Sequence, residues 1–164
     1  MHVSTFKTLS VVIPVYNEEA HLEEIVRRVI NQPLPGGLAR ELIVINDGST
    51  DATWSLVQAL PAKYPSISFK LVNKTLNQGK GAALRDGFDQ ASGDIVIIQD
   101  ADLEYDPADY PKLLAPILDG KADVVYGSRF IGAPPRVLYH RHHLAPRFLP
   151  PLSLSLIHIS EPTR

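Results

Sequence analysis

Short apolar runs alternate with stretches of helical period along most of this chain. Leu9 to Val15 is apolar and β-branched, and it predicts a buried strand. From Glu19 to Asn31 the apolar positions are Leu22, Ile25, Val26, Val29 and Ile30. That spacing is one face of a helix, with Asn17 in place to cap it. Gln32 to Ala39 holds two prolines and two glycines and predicts a loop. Leu42 to Ile45 predicts a second buried strand. Thr50 or Asp51 then caps a short helix through Trp54, Val57 and Leu60, expected to stop near Pro61. Ile67, Phe69 and Leu71 alternate with polar neighbours, as in a less buried strand. Gly79 to Gly81 opens a third helix with Leu84, Phe88 and Ala91 on one face. Ile95 to Ile98 reads as a fourth strand. Pro107 suits the first turn of a further helix through Leu113, Leu114, Ile117 and Leu118, and Val124 to Tyr126 as a fifth strand. Strands alternating with helices predict an α/β domain with a mostly parallel sheet flanked by helices. Such a sheet binds ligands at the carboxyl ends of its strands, where the strand order reverses.

Composition narrows the chemistry. Hydrophobic residues make up 45% of 164 residues, which is globular and enough for one domain with a core. The net charge of −2 gives no global basic surface for nucleic acid. The absence of cysteine removes disulfides, thiolate catalysis and cysteine zinc sites. Met1 to Thr8 is polar, and no run approaches the roughly 20 apolar residues of a membrane helix. A soluble, cytoplasmic protein is expected, with room for a peripheral association at the cytoplasmic membrane face.

Polar groups gather after the apolar strands: Tyr16-Asn17-Glu18, Asp47-Gly48-Ser49, Asp100-Ala101-Asp102-Leu103-Glu104 and Gly127-Ser128-Arg129. Asp100 and Asp102 repel each other unless a cation lies between them. A hard divalent ion with oxygen ligands fits, and Glu104 is close enough in sequence to join. The plainer reading makes Asp100 a turn cap and Asp102 a solvated charge. Asp47 has the position to accept hydrogen bonds from a base or ribose, or to close an Asx turn. Tyr16 and Glu18 suit a base, or core packing and helix-dipole compensation respectively. Asn77-Gln78-Gly79-Lys80-Gly81 opens a helix and allows close approach of a phosphate or sugar, although it lacks full P-loop spacing. Arg129 matches phosphate geometry, or is simply a surface arginine. His140, His142 and His143 have no acidic partner in register for a metal. With Arg136, Arg141 and Arg147 they read as an anion- or membrane-facing stretch, or as solvated surface.

These motifs in this order, from Val11 to Glu18, Asn46 to Asp51, Asn77 to Gly81 with Gly87-Phe88, Asp100 to Glu104, and Gly127 to Phe130, resemble family 2 glycosyltransferases with the GT-A fold. The branch they are most similar to holds the dolichyl-phosphate mannosyltransferases and polyprenyl-phosphate glycosyltransferases. The resemblance runs from about Leu9 to about Leu144 and implies a Rossmann-like nucleotide-sugar-binding domain, incomplete at its carboxyl end. It implies that Pro14, Tyr16 and Glu18 line the base and ribose and that Asp47 contacts the base. Gly79 and Lys80 fall on the donor side. Asp100, Asp102 and Glu104 would hold Mg²⁺ or Mn²⁺ against the diphosphate. Arg129 would face the acceptor phosphate, so that Asp100, Asp102 and Arg129 form the catalytic set. One departure is Asn46, where the family often has an aspartate.

The resemblance further implies an inverting, metal-dependent hexosyltransferase. The donor is a nucleoside diphosphate sugar (GDP-mannose or UDP-glucose), and the acceptor is a polyprenyl phosphate at the membrane surface. Transfer to a sugar hydroxyl in polysaccharide or glycolipid synthesis is the alternative enzyme. A catalytically incompetent nucleotide-sugar-binding fragment is the alternative outside catalysis. Residues 1–144 are expected to form the donor-binding domain. Residues 145–164 have the look of translated adapter sequence and are expected to be a poorly ordered, non-family tail.

Overall fold

The computed structural model describes residues 6–127, and the first compact unit of the chain ends at Tyr126. Its strands are β1 (Thr8–Val15), β2 (Ala39–Asp47), β3 (Ser68–Lys74) and β4 (Ile95–Ile98). Its α-helices are α1 (Leu22–Asn31), α2 (Thr53–Lys63), α3 (Lys80–Gln90) and α4 (Tyr110–Leu118). All four strands are parallel, in the order β3-β2-β1-β4. The chain steps outward from β1 to β3 and then returns to the far side of β1, so the order reverses there. The α/β expectation holds, and the reversal places a crevice beyond the carboxyl ends of β1 and β4.

Alternation along the strands divides the core. Leu9, Val11, Ile13 and Val15 face α1, α2 and α4, meeting Leu22, Ile25, Val26, Val29, Val57, Leu60, Tyr110 and Leu114. Val12, Ile43 and Ile45 face α3 through Ala83. The sequence pattern put Leu84, Phe88 and Ala91 on the inner face of α3, but Phe88 is 45% exposed and the buried positions are Ala83 and Gly87. The small residues let the α3 backbone lie close on the sheet. A Cβ on Gly87 would stand 2.4 Å from Val12 Cγ1 and 2.8 Å from Ile45 Cδ1. Gly87→Ala is therefore expected to cost about 2 kcal/mol by overpacking, read as a lower midpoint in urea unfolding. An unchanged midpoint would mean the helix shifts freely.

Three other local expectations change. Helix α1 begins at Leu22, preceded by a turn, and Asn17 does not cap it. Asn17 sits at φ +54° and its side-chain oxygen accepts from Thr50 N at 2.8 Å. Helix α2 runs past Pro61 to Lys63, because the ring falls in the last turn and Tyr64 N still closes on Leu60 O at 2.9 Å. Val124 to Tyr126 forms no strand: the run has no paired edge among the described residues, and Val124 and Tyr126 are exposed.

The amino end of the sheet carries a buried polar knot. Glu41 is 5% exposed and accepts from Ser10 Oγ at 2.5 Å, Ser92 N at 2.7 Å, Ser92 Oγ at 2.8 Å and Gly93 N at 3.1 Å. Lys70 Nζ lies 3.1 Å from it. Burial alone would raise its pKa, but the hydrogen bonds from Ser10, Ser92 and Lys70 outweigh that and bring it down to about 2. The knot ties the α3–β4 connection to β1, β2 and β3.

Candidate nucleotide-sugar site

Parallel neighbours end side by side, so the loops after β1 and β2 meet. They are stitched by reciprocal bonds: Asn17 N to Ser49 Oγ (3.0 Å), Glu18 N to Thr53 Oγ1 (2.8 Å) and Ala52 N to Glu19 Oε2 (2.9 Å). The loop after β3 closes on the same place. Gly48 has φ +71°, and a Cβ there would lie 2.6 Å from the Asn77 nitrogen, so only glycine lets these two loops touch.

The result is an open cleft of about 280 Å³, at the small end for a nucleotide-sized ligand. Pro14 lines it from β1, Tyr16 and Glu18 from the loop that follows, Asp47 from β2, Gly79 and Lys80 from the start of α3, and Asp100 and Asp102 from the loop after β4. Sequence positions up to 88 residues apart are thus brought together. Tyr16 is 46% exposed, leaving ring surface free for a base to cover. Glu104 is not part of the lining; its N–H donates to Asp102 Oδ1 at 3.0 Å. Arg129 and the three histidines lie outside the described residues.

Asp47 is buried and already occupied. Its carboxylate accepts from Gln78 N at 3.1 Å and Gly79 N at 2.8 Å, and Lys74 Nζ stands 3.0 Å away. Lys74 also lies 3.3 Å from Asp86 on α3. Burial would depress this ammonium, yet the two carboxylates more than offset it and hold its pKa above the ordinary lysine value. Its contacts are ion pairs rather than aligned hydrogen bonds. Asp47 therefore builds the glycine loop as well as facing the cleft. Asn46 is neutral for a local reason: its amide donates to Asn73 Oδ1 at 2.7 Å and accepts from Ser49 N at 3.3 Å.

Asp100 is held from behind by Gln99, which sequence reasoning missed. Gln99 is 1% exposed; its amide donates to Asp100 O and Tyr105 O, each at 3.0 Å, and its oxygen accepts from Tyr110 Oη at 2.7 Å. One side chain thus clamps both ends of the acidic loop. Within that loop Leu103 adopts φ +64°, an uncommon conformation for a bulky residue. The polarity of Gln99 beside the apolar Ile95–Ile98 run was the available signal.

Among the described residues no three Asp, Glu or His side chains converge. A Mg²⁺-like ion needs fewer, because one or two carboxylates suffice when substrate phosphates and water complete the shell. Two cleft carboxylates, Asp100 and Asp102, meet that requirement in donor chemistry.

The sequence matches the family described as Glycosyl transferase family 2 over residues 10–162. The chain belongs to that family. A dolichol-phosphate mannosyltransferase of Pyrococcus furiosus is 41% identical over 123 residues, covering 75% of this chain and 33% of the relative. An undecaprenyl-phosphate 4-deoxy-4-formamido-L-arabinose transferase of Pseudomonas aeruginosa is 42% identical over 106 residues, 65% of this chain and 31% of the relative. This family 2 chain thus spans about a third of the length of the curated relatives it matches. A mannosyltransferase of Pyrobaculum calidifontis, solved in complex with GDP-Man and Mn²⁺, superposes with a TM-score of 0.56 at 32% identity, over 65% of this chain and 31% of that one. Glucosyl-3-phosphoglycerate synthase of Mycobacterium tuberculosis, with Mn²⁺, UDP-Glc and phosphoglyceric acid, gives 0.56 at 31% identity, over 73% and 42%. The parallel sheet flanked by helices is the GT-A arrangement that the family resemblance implied.

Proposed function

We propose that the chain is the donor-binding part of an inverting, metal-dependent glycosyltransferase that moves a hexose from a nucleoside diphosphate to a polyprenyl phosphate. The observation that carries this reading is the convergence of Tyr16, Asp47, Lys80, Asp100 and Asp102 on one cleft at the strand-order reversal. Tyr16 and Glu18 take the nucleoside end, the Gly79–Lys80 turn takes the phosphates, and Asp100 and Asp102 hold the divalent ion. When bound, that ion neutralises charge developing on the leaving diphosphate. The likeness to relatives named for dolichol phosphate and undecaprenyl phosphate supports the lipid acceptor.

The cleft carboxylates of the described residues already have partners: Glu18 lies 3.1 Å from His21 Nδ1, Asp47 anchors the loop, Asp100 meets Lys80, and Asp102 accepts from Glu104 N. A phosphate monoester acceptor makes no demand on them, since its second pKa is about 6, whereas a sugar hydroxyl needs a general base. The donor is GDP-mannose or UDP-glucose, and an association with the cytoplasmic membrane face follows from the acceptor. Among the described residues no helix is long and apolar enough to cross a membrane.

The test is calorimetric titration of the chain with each donor in Mn²⁺, followed by transfer of radiolabelled sugar to a polyprenyl phosphate. Failure to bind either donor would remove the reading. Asp47→Asn is expected to weaken donor binding at least tenfold while leaving Mn²⁺ uptake intact. The new amide would point N–H at the Gln78 and Gly79 N–H groups, setting donor against donor. Unchanged donor affinity in that variant would remove Asp47 from the site.

A further inference from the structure

Lys80 occupies a peculiar place. It is the first residue of α3, its side chain is 56% exposed, and its ammonium lies 2.6 Å from Asp100 Oδ2. Asp100 is the better buried partner, at 17%. The same carboxylate oxygen that faces the cleft, on a residue assigned above to hold a cation, is thus already satisfied by a cation of the chain itself. Lys80 has the long, flexible stem that allows such an ammonium to change partners. The rest of the loop stays fixed while it does so, because Gly79 N is bonded to Asp47 and Lys74 is buried against it.

We propose that Lys80 is an exchangeable counter-ion: it neutralises Asp100 in the empty cleft and transfers to the donor diphosphate when a divalent cation takes its place. This rests on the donor-site reading above. The consequence is that metal and donor bind cooperatively. A cation arriving alone must displace the ammonium and leave it without a partner beside a double charge. A cation arriving with a diphosphate supplies the displaced ammonium with new acceptor oxygens. By linkage, whatever the donor adds to metal affinity the metal adds to donor affinity. Lys80 thereby favours entry of the metal–donor complex over either component alone.

Two affinities must move in opposite directions when the charge is removed. In Lys80→Met and Lys80→Gln, Mn²⁺ alone, followed by its electron paramagnetic resonance signal, is expected to bind about fivefold more tightly than in the unsubstituted chain. GDP or UDP measured by calorimetry in saturating Mn²⁺ is expected to bind about tenfold more weakly. Lys80→Arg, which keeps the charge, should restore most of both. The side chain is 56% exposed, so all three variants should melt with the unsubstituted chain. Mn²⁺ affinity that is unchanged or weaker in the neutral variants would overturn the exchange while leaving the donor site standing. An unsubstituted chain that takes up neither Mn²⁺ nor nucleotide would overturn the donor site itself.

Discussion

Asp100→Ala is expected to abolish the Mn²⁺-dependent part of nucleoside diphosphate binding, a loss of about two orders of magnitude or more. Three consequences combine. The substitution removes one of two carboxylates available to the ion, and even residues that merely support a ligand are worth about 10–100-fold in metal affinity. It frees Lys80 from its 2.6 Å partner, leaving an ammonium rather than a carboxylate facing the ion's place in the cleft. It leaves the backbone in place, because the Gln99 clamp binds Asp100 through its carbonyl oxygen rather than its carboxylate. The fold should therefore survive. Calorimetry with GDP and UDP in Mn²⁺ and in chelator separates the effects. If the unsubstituted chain binds equally well in both conditions, the metal has no part in donor binding and the assignment fails.

The second large effect lies at the opposite end of the sheet. Glu41→Ala is expected to cost about 3–5 kcal/mol, the usual result of breaking a buried charged network from one side. Ser10, Ser92, Gly93 and Lys70 would all lose their common acceptor. The same group gives a pH signature. Its pKa falls from 4.5 to about 2 on folding, so the carboxylate contributes stability above pH 4.5. That contribution is lost as the pH drops through the interval toward 2. A shift of this size corresponds to roughly 3 kcal/mol. Urea unfolding from pH 7 to pH 2.5 should show the unsubstituted chain losing most of that amount relative to Glu41→Gln, with the two curves drawing together in acid. Parallel curves would show that folding leaves the Glu41 pKa unshifted.

The strands were legible because β1, β2 and β4 carry apolar runs; β1 and β2 are buried as expected of a parallel sheet, whereas Val96 and Ile98 of β4 are exposed. The acidic motif was legible because it directly follows such a run, and the glycine motif because it opens the helix after β3. Packing on α3 was not: size pointed to Phe88, whereas close approach selected Ala83 and Gly87, and residue hydrophobicity carries no information about interaxial distance. The occupation of Asp47 by Gln78, Gly79 and Lys74 was equally hidden. It depends on where the β3–α3 loop turns, and nothing in the Asn46–Asp51 motif reports that. Glu41 and Gln99 escaped notice because a single polar residue beside an apolar strand looks like an exposed edge until its partners from distant segments are known.

The strand order also sets a schedule for folding. Strands β1, β2 and β3 join neighbours in sequence, and Arg40 seals the first step by donating to the carbonyls of Val29, Ile30 and Gln32 at the end of α1. Those contacts can close while the chain is still emerging from a ribosome. Strand β4 must wait longer, because its register with β1 needs a partner such as Asp94, 86 residues from Thr8. Long closures of this kind are slow. Until it docks, β1 is a bare edge, the type of surface that recruits chaperones or other chains. The acidic wall of the cleft is then completed only after the first three strands are in place.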